Sequence, residues 1–131
     1  MKMPLEVELQ LVDCPSFVLY TDRNRLTQVL TNLLMNAIKH TEKGFICFGY
    51  TLTDKSVCFF VRDTGEGIPA DKLKAIFSHF VQLNEWSKGV GLGLAISRGL
   101  VEKMGGDISV ESELGKGSVF YVILPLVKVI R

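Results

Sequence analysis

The chain has 131 residues, of which 47% are hydrophobic and 22% are charged, and its formal net charge at pH 7 is +1. This length suffices for one buried core, and no apolar stretch approaches the length of a bilayer span, so residues 1–131 are expected to form a single soluble domain. The charges are scattered and the three cysteines form no C-x-x-C pair, which argues against a nucleic-acid partner, a zinc site or a disulfide framework and favours a cytoplasmic location.

The first half of the chain predicts strands, a long helix and a hairpin. Alternating apolar residues predict strands at 5–11 and 16–20. After the N-cap residues Thr21 and Asp22, apolar side chains recur at the three-four spacing of a helix with one buried face. These apolar positions are Leu26, Val29, Leu30, Leu33, Leu34, Ala37 and Ile38. Aromatic and β-branched residues at 45–51 and 56–61 then predict a hairpin.

The second half predicts two helices and two closing strands. Pro69 suits the first turn of a helix, so a short helix is predicted from about 70 to 77. A loop is predicted at 81–90, and helical spacing returns over 92–104 until Gly105-Gly106. The closing strands are predicted at 107–111 and 118–124. Together the elements predict an α+β fold, a two-layer sandwich in which helices cover one face of a mixed, mostly antiparallel sheet.

A polar ridge runs along the long predicted helix. Asn32, Asn36 and His40 recur every four residues beside the apolar stripe, with Lys39 next to them. A solvated flank is the simplest interpretation of this ridge. A ligand site is the alternative, because an unpaired Asn is costly to bury and a carboxamide oxygen is a suitable ligand for Mg²⁺.

The second candidate is Asp63-Thr64-Gly65-Glu66-Gly67-Ile68-Pro69, which follows a strand of mostly apolar residues. A carboxylate at a strand end can accept a hydrogen bond from an exocyclic amine, and glycines let the backbone approach a planar base. A tight turn capped by Asp63 explains the segment equally well. A looser dinucleotide fingerprint also fits Gly65, Gly67 and Ala70, but the run of parallel βαβ units that should accompany it is absent.

The third candidate is a glycine-rich segment immediately before the predicted helix at 92–104. Gly89, Gly91 and Gly93 stand at alternate positions there. Bare backbone amides at a helix N-terminus can hold phosphate groups, helped by the helix dipole. Glycines of a flexible loop are the alternative interpretation, and the segment does not fit the P-loop pattern.

Together and in this order, the segments resemble the ATP-binding superfamily of gyrase, the MutL mismatch-repair protein and histidine kinases, which implies a Bergerat fold. The chain looks closest to the catalytic ATP-binding domain of sensor histidine kinases. The matching motifs are the asparagine box at 32–41, the first glycine box at 63–68, the phenylalanine box at 77–80, the second glycine box at 89–94 and the final glycine motif at 115–120.

The resemblance implies a Mg-ATP site with two catalytic candidates, Asn36 and Lys39. Asn36 would coordinate Mg²⁺, and Lys39 would meet the phosphates. His40 would cover one face of adenine, and Asp63 would accept a hydrogen bond from the adenine amine. The other cofactor-binding candidates are the base-pocket residues Ile68 and Leu94 together with Asn32, Gly65, Gly67, Gly89, Gly91, Leu92 and Gly93.

The resemblance also implies kinase chemistry. Gyrase-like relatives place a Glu four residues before the metal-binding Asn as a general base on water, and this chain has Asn32 there. An amide has no useful basicity, so hydrolysis should be slow. Phosphoryl transfer asks mainly for positioning and charge neutralisation, which favours transfer of the γ-phosphate to a histidine.

The acceptor histidine is expected in another domain, because the chain contains only His40 and His79. The resemblance implies a fragment of a larger protein, whose dimerisation and histidine-phosphotransfer domain carries the acceptor, with a response-regulator receiver domain downstream. The fragment is expected to be monomeric and the full-length protein homodimeric. Two alternatives remain open, a catalytically silent nucleotide-binding scaffold and a dinucleotide-binding oxidoreductase domain.

Overall fold

The computed structural model describes residues 7–11, 21–73, 76–77 and 90–126. The elements in this part of the chain are β1 (Val7–Leu11), α1 (Arg23–His40), β2 (Gly44–Leu52), β3 (Ser56–Asp63), α2 (Ala70–Leu73), α3 (Val90–Lys103), β4 (Asp107–Glu113) and β5 (Gly117–Pro125). The strands form one sheet in the order β1-β2-β3-β5-β4. β1 pairs parallel with β2, and the other neighbours pair antiparallel. The predicted α+β sandwich with a mixed, mostly antiparallel sheet is therefore confirmed.

Local signals account for the ends of the two long helices. The side chain of Asp22 caps α1 by accepting a hydrogen bond from the amide of Arg25, at 3.0 Å. α3 ends at Lys103, and Gly105 follows in the left-handed conformation with a φ of 79°. Within the described part of the chain, neither helix is long and apolar enough to cross a bilayer.

Three predicted elements are confirmed only in part or lie largely outside the described residues. The predicted strand at 16–20 and most of the predicted loop at 81–90 lie outside the described residues. The short helix predicted at 70–77 is confirmed only over Ala70–Leu73, while Ile76 and Phe77 lie in a turn. Ile76 is buried, and the ring of Phe77 packs edge-on against Phe120 with centroids 6.1 Å apart. Core packing, and not helix propensity, therefore decides where these two residues lie.

The core lies between the helices and one face of the sheet. Alternate residues of β3 and β5 face α1 and α3, as expected for strands with one covered face. The buried residues of α1 and these strands are Val29, Leu33, Ala37, Val57, Phe59, Val61, Phe120, Val122 and Leu124. Asp63 continues the inward series of β3 at its last position, and its register partner on β5 is Ser118. The end of the apolar core is thus lined by polar side chains.

Gly117→Ala is expected to lower the free energy of unfolding far more than Gly115→Ala does. Both glycines have positive φ, 121° and 85°, so either substitution strains the backbone. A Cβ at residue 117 would also collide with the carbonyl oxygen of Asp63, whereas nothing lies within 4 Å at residue 115. Strain of roughly 1–2 kcal/mol plus a clash of about 1–3 kcal/mol is expected for Gly117→Ala, against the strain alone for Gly115→Ala. Chemical denaturation measures both losses, and equal losses would contradict the close approach.

Candidate functional site

The loop after β3 is held between the end of α1 and the β4–β5 turn. The amide of Glu66 donates to the carbonyl of His40 at 3.3 Å, and the amide of Gly115 donates to the carbonyl of Glu66 at 2.7 Å. A Cβ at Gly65 would collide with the His40 carbonyl, and one at Gly67 would collide with the Glu113 carbonyl. The two glycines of the first glycine box are therefore required by close backbone packing within the protein itself.

Asp63 presents a buried carboxylate at the start of this loop. Its side chain is 5% exposed, and Oδ1 accepts a hydrogen bond from the amide of Gly65 at 2.9 Å. Burial raises the pKa of Asp63 above its usual value, although backbone hydrogen bonds from Gly65 and Ser118 and the nearby His40 act to lower it. The structure therefore contains the predicted turn cap. An ionised carboxylate has about four acceptor sites, so capacity for a donor on a ligand remains.

His40 and Lys39 lie at the C-terminal end of α1, beside the same loop. Nδ1 of His40 is 2.8 Å from Oε1 of Glu66, and the ring nitrogen donates because an ionised carboxylate only accepts. A cleft of about 350 Å³ adjoins this pair. The cleft is lined by Lys39, His40, Glu42, Lys43, Thr64, Gly65 and Glu66. It brings together three residues that the sequence predicts as cofactor-binding, namely Lys39, His40 and Gly65.

Asn36 carries an unsatisfied acceptor at the margin of the core. The residue is 8% exposed, and its Oδ1 has no hydrogen-bond partner among the described residues. A buried acceptor without a partner costs about 1–3 kcal/mol, so a ligand or cation that satisfied it would be favoured there. In the described part of the chain, no group of three or more His, Cys, Asp or Glu residues could hold a metal ion. Mg²⁺ that accompanies ATP takes most of its ligands from water and phosphate, so one amide oxygen fits that need.

Asn32 connects the two long helices. Its Nδ2 donates to the carbonyl of Gly93 at 3.4 Å and to Oγ of Ser97 at 3.2 Å. The simplest interpretation of the polar ridge, a solvated flank, is therefore wrong for both asparagines, since Asn32 bonds to α3 and Asn36 is buried. The hydroxyl of a fully buried serine on the facing helix explains why a polar residue is tolerated at position 32.

The prediction that the second glycine box precedes its helix is wrong. The sequence places its glycines before a helix, whereas α3 begins at Val90 and includes Gly91, Leu92 and Gly93. The first four amides of a helix lack acceptors within the helix, so the segment can still donate hydrogen bonds to an anion. Gly89 lies outside the described residues.

The predicted base-pocket residues lie in the apolar core. Ile68 and Leu94 are both buried and belong to the same hydrophobic cluster. One comes from the first glycine box and the other from α3. The fold therefore brings residues of the two predicted motifs into one hydrophobic cluster.

The final glycine motif at 115–120 includes Ser118 without giving it a role, and the sequence pattern does not single out Ser112. Oγ of Ser112 accepts from the amide of Ile68 at 2.8 Å, donates to the carbonyl of Gly117 at 2.9 Å, and lies 2.8 Å from Oγ of Ser118. Ser112 lies on the same inward-facing side of β4 as Ile108 and Val110. A polar residue at the last inward position of a strand is the signal that could have identified it.

Comparison with known proteins gives a family and several relatives. A family model described as histidine kinase-, DNA gyrase B-, and HSP90-like ATPase matches residues 21–128. Autoinducer 2 sensor kinase/phosphatase LuxQ of Vibrio vulnificus (strain YJ016) is 43% identical over 127 residues, which cover 89% of this chain and 14% of that protein. Sensor histidine kinase RcsC of Escherichia coli (strain K12) is 46% identical over 109 residues, which cover 80% of this chain and 12% of that protein. The chain thus spans a small part of the length of these relatives.

Two solved structures have the same fold. The full-length ShkA structure in complex with AMPPNP matches with a TM-score of 0.83 and 37% identity, covering 95% of this chain and 27% of that chain. The nucleotide-free catalytic domain of histidine kinase ThkA matches with a TM-score of 0.80 and 33% identity, covering 92% of this chain and 81% of that chain. The second match extends over most of an isolated catalytic domain.

Proposed function

Because the chain belongs to the histidine kinase-, DNA gyrase B- and HSP90-like ATPase family, as a catalytic domain of the sensor histidine kinase type, we propose that it binds Mg-ATP and donates the γ-phosphate to a histidine. The observation that carries the proposal is the buried carboxylate of Asp63. The backbone amide of Gly65 holds it, and it keeps acceptor capacity for a ligand. Such a group suits the exocyclic amine of adenine.

The nucleotide is proposed to lie along the first glycine box. Adenine would place its amine at Asp63 and its apolar faces against Ile68 and Leu94, both of which belong to the buried cluster. His40, whose ring is held by Glu66, would cover the open side of the base. The phosphates would extend toward Lys39 and toward the amides of the second glycine box, of which Gly91, Leu92 and Gly93 lie in the first turn of α3.

Asn36 is the proposed protein ligand for Mg²⁺. Its buried Oδ1, which has no partner among the residues that the structure describes, would gain one when the metal binds with the nucleotide. Bound Mg²⁺ neutralises charge on the phosphate oxygens. Asn36 and Lys39, which lie on the last two turns of α1, would orient the phosphate chain for transfer.

Transfer to a histidine is favoured over hydrolysis because of Asn32. The residue stands where hydrolytic relatives are expected to carry a general base, and its amide nitrogen bonds to Gly93 and Ser97 of α3. An amide held in this way cannot take a proton from water at neutral pH. An imidazole nitrogen of an incoming histidine is already a competent nucleophile and needs only to be positioned.

The remaining partners follow from this chemistry. We propose that residues 1–131 are one catalytic domain of a larger protein, as the small share of its relatives covered by the chain supports. The acceptor histidine would lie on a dimerisation domain of the same protein, and a response-regulator receiver domain would take the phosphate next. The isolated chain would be a monomer, and the full-length protein a homodimer with this domain in the cytoplasm, whether or not the protein is anchored in a membrane.

Two measurements test the proposed function. Calorimetric titration of the chain with ATP, GTP and NAD, with and without Mg²⁺, should give binding of ATP that Mg²⁺ strengthens. A preference for NAD would instead support the dinucleotide-binding alternative. Incubation with radiolabelled ATP and a supplied histidine-phosphotransfer domain should label that domain. Tight ATP binding without any transfer would support a catalytically silent scaffold.

His40→Ala is expected to weaken ATP binding by roughly 1–3 kcal/mol, the range for a base stacked on an aromatic side chain. His40→Tyr should preserve or strengthen binding, because it keeps an aromatic face at the end of α1. Calorimetric titration of both variants with ATP measures the difference. Weaker binding by the tyrosine variant than by the alanine variant would contradict stacking at this position.

A further inference from the structure

The hydroxyl of Ser112 joins three segments around the proposed base pocket. It contacts the amide of Ile68 in the first glycine box, the carbonyl of Gly117 and the hydroxyl of Ser118 at the start of β5. All three distances lie between 2.8 and 2.9 Å, which is the range of well-formed hydrogen bonds. The residue therefore uses its full hydrogen-bonding capacity inside the protein.

Counting protons fixes the direction of each bond. A serine hydroxyl has one proton to donate and two lone pairs that accept. The carbonyl of Gly117 can only accept, so the proton of Ser112 goes to it, and one lone pair of Ser112 receives the amide proton of Ile68. The bond between the two serines must then be donated by Ser118 to the second lone pair of Ser112.

This direction determines what Ser118 can offer to a ligand. Its only proton is committed to Ser112, so its remaining capacity is to accept. Ser118 is the register partner of Asp63 on the neighbouring strand, and the two residues are 7% and 5% exposed. Two hydrogen-bond acceptors, the Ser118 hydroxyl and the Asp63 carboxylate, therefore lie side by side where β3 ends and β5 begins.

We propose that Ser112 is a positioning residue for base selection, which acts by holding the Ser118 hydroxyl as an acceptor beside the carboxylate of Asp63. The inference rests on the proposed function, since it concerns the edge of the bound base. The exocyclic amine of adenine carries two protons, which match two acceptors directly or through water. Hypoxanthine has a carbonyl oxygen at the same place and would meet only acceptors there.

Ser112→Ala is expected to lower the preference for ATP over ITP by about three- to tenfold, which corresponds to the loss of one neutral hydrogen bond. Without Ser112, the hydroxyl of Ser118 can rotate and donate to the carbonyl of ITP. Calorimetric titration of the chain with both nucleotides gives the ratio of affinities. Ser112→Thr keeps the hydroxyl and should restore the preference, and Ser109→Ala, a change at an exposed residue of the same strand, should leave it unchanged.

A purely structural role for Ser112 would weaken ATP and ITP by the same factor, and that result would overturn the proposal. If Ser112→Ala fails to fold, Ser118→Ala decides, because Ser112 keeps its bonds to Ile68 and Gly117 in that variant. A reduced preference in Ser118→Ala supports the proposal, and an unchanged preference overturns it. Equal binding of ATP and ITP by the unmodified chain would instead refute the adenine site itself, and this inference with it.

Discussion

Asn36→Ala is expected to abolish the Mg²⁺-dependent part of ATP binding while the fold stays intact. The residue is buried and its Oδ1 has no partner in the described part of the chain, so its removal leaves no described donor to that atom unsatisfied. Alanine also favours the helix by a few tenths of a kcal/mol. Transfer to a supplied histidine domain should fall by about 10²–10³-fold, as when one electrostatic stabiliser of a transition state is removed. Titration with ATP at several Mg²⁺ concentrations, together with a melting curve, measures both effects.

Two further variants control this experiment. Thr31→Ala changes an exposed residue of the same helix and should leave Mg²⁺ dependence unaltered. Asn36→Asp keeps an oxygen at the same position and should retain a response to Mg²⁺, because carboxylates are ordinary Mg²⁺ ligands. Unchanged Mg²⁺ dependence in a folded Asn36→Ala variant would remove Asn36 from the metal site.

The sequence predicts α1 well because its signals are local. The cap at Asp22 and the apolar spacing from Leu26 onward act within one helix, and the structure has the helix at Arg23–His40. The strands of the central hairpin, β2 and β3, agree within about two residues for the same reason, since a polar turn separates two apolar runs. Local periodicity is thus sufficient for the elements that carry Asn36, His40 and Asp63.

The start of α3 is less predictable because glycine is ambiguous in sequence. The low helix propensity of glycine favours a loop at Gly91 and Gly93, yet both residues lie inside the helix. A buried face that includes Leu94 and Val101 supplies packing energy that outweighs the intrinsic cost of glycine. This cost is about 1 kcal/mol per residue, well below what two buried apolar side chains contribute.

The polar part of the site depends on contacts between distant residues. Asn32 bonds to Gly93 and Ser97 across the helix interface, and Ser112 bonds to Ile68 across the sheet end. The periodicity of apolar residues indicates on which face of a helix or strand such a side chain lies. It carries no information on which hydrogen-bonding group lies opposite that side chain in the fold. The asparagine box therefore predicts a ridge, whereas only the fold distinguishes the bonded Asn32 from Asn36, whose Oδ1 has no partner among the described residues.

Asp63→Ala is expected to weaken ATP binding by roughly ten- to a hundredfold and to leave GTP binding nearly unchanged. A carboxylate at the base edge accepts from the amine of adenine and repels the carbonyl that guanine presents at the same place. Loss of a hydrogen bond to a charged acceptor costs about 1.5–3 kcal/mol, which gives that factor. Calorimetric titration with both nucleotides measures the change, and a melting curve reports the accompanying loss of the bond between Oδ1 and the Gly65 amide.

Asp63→Asn separates the two roles that the geometry allows for this residue. Asparagine keeps a carbonyl oxygen for the amide of Gly65 and replaces the second oxygen by a donor. If Asp63 reads the adenine amine, the variant should fold and lose most of its preference for ATP over GTP, because its new donor suits the guanine carbonyl. If Asp63 only caps the turn, the variant should keep that preference, and Asp63→Ala should lower thermal stability and weaken both nucleotides alike. Retained ATP preference in a folded Asp63→Ala variant would exclude the contact between this carboxylate and adenine.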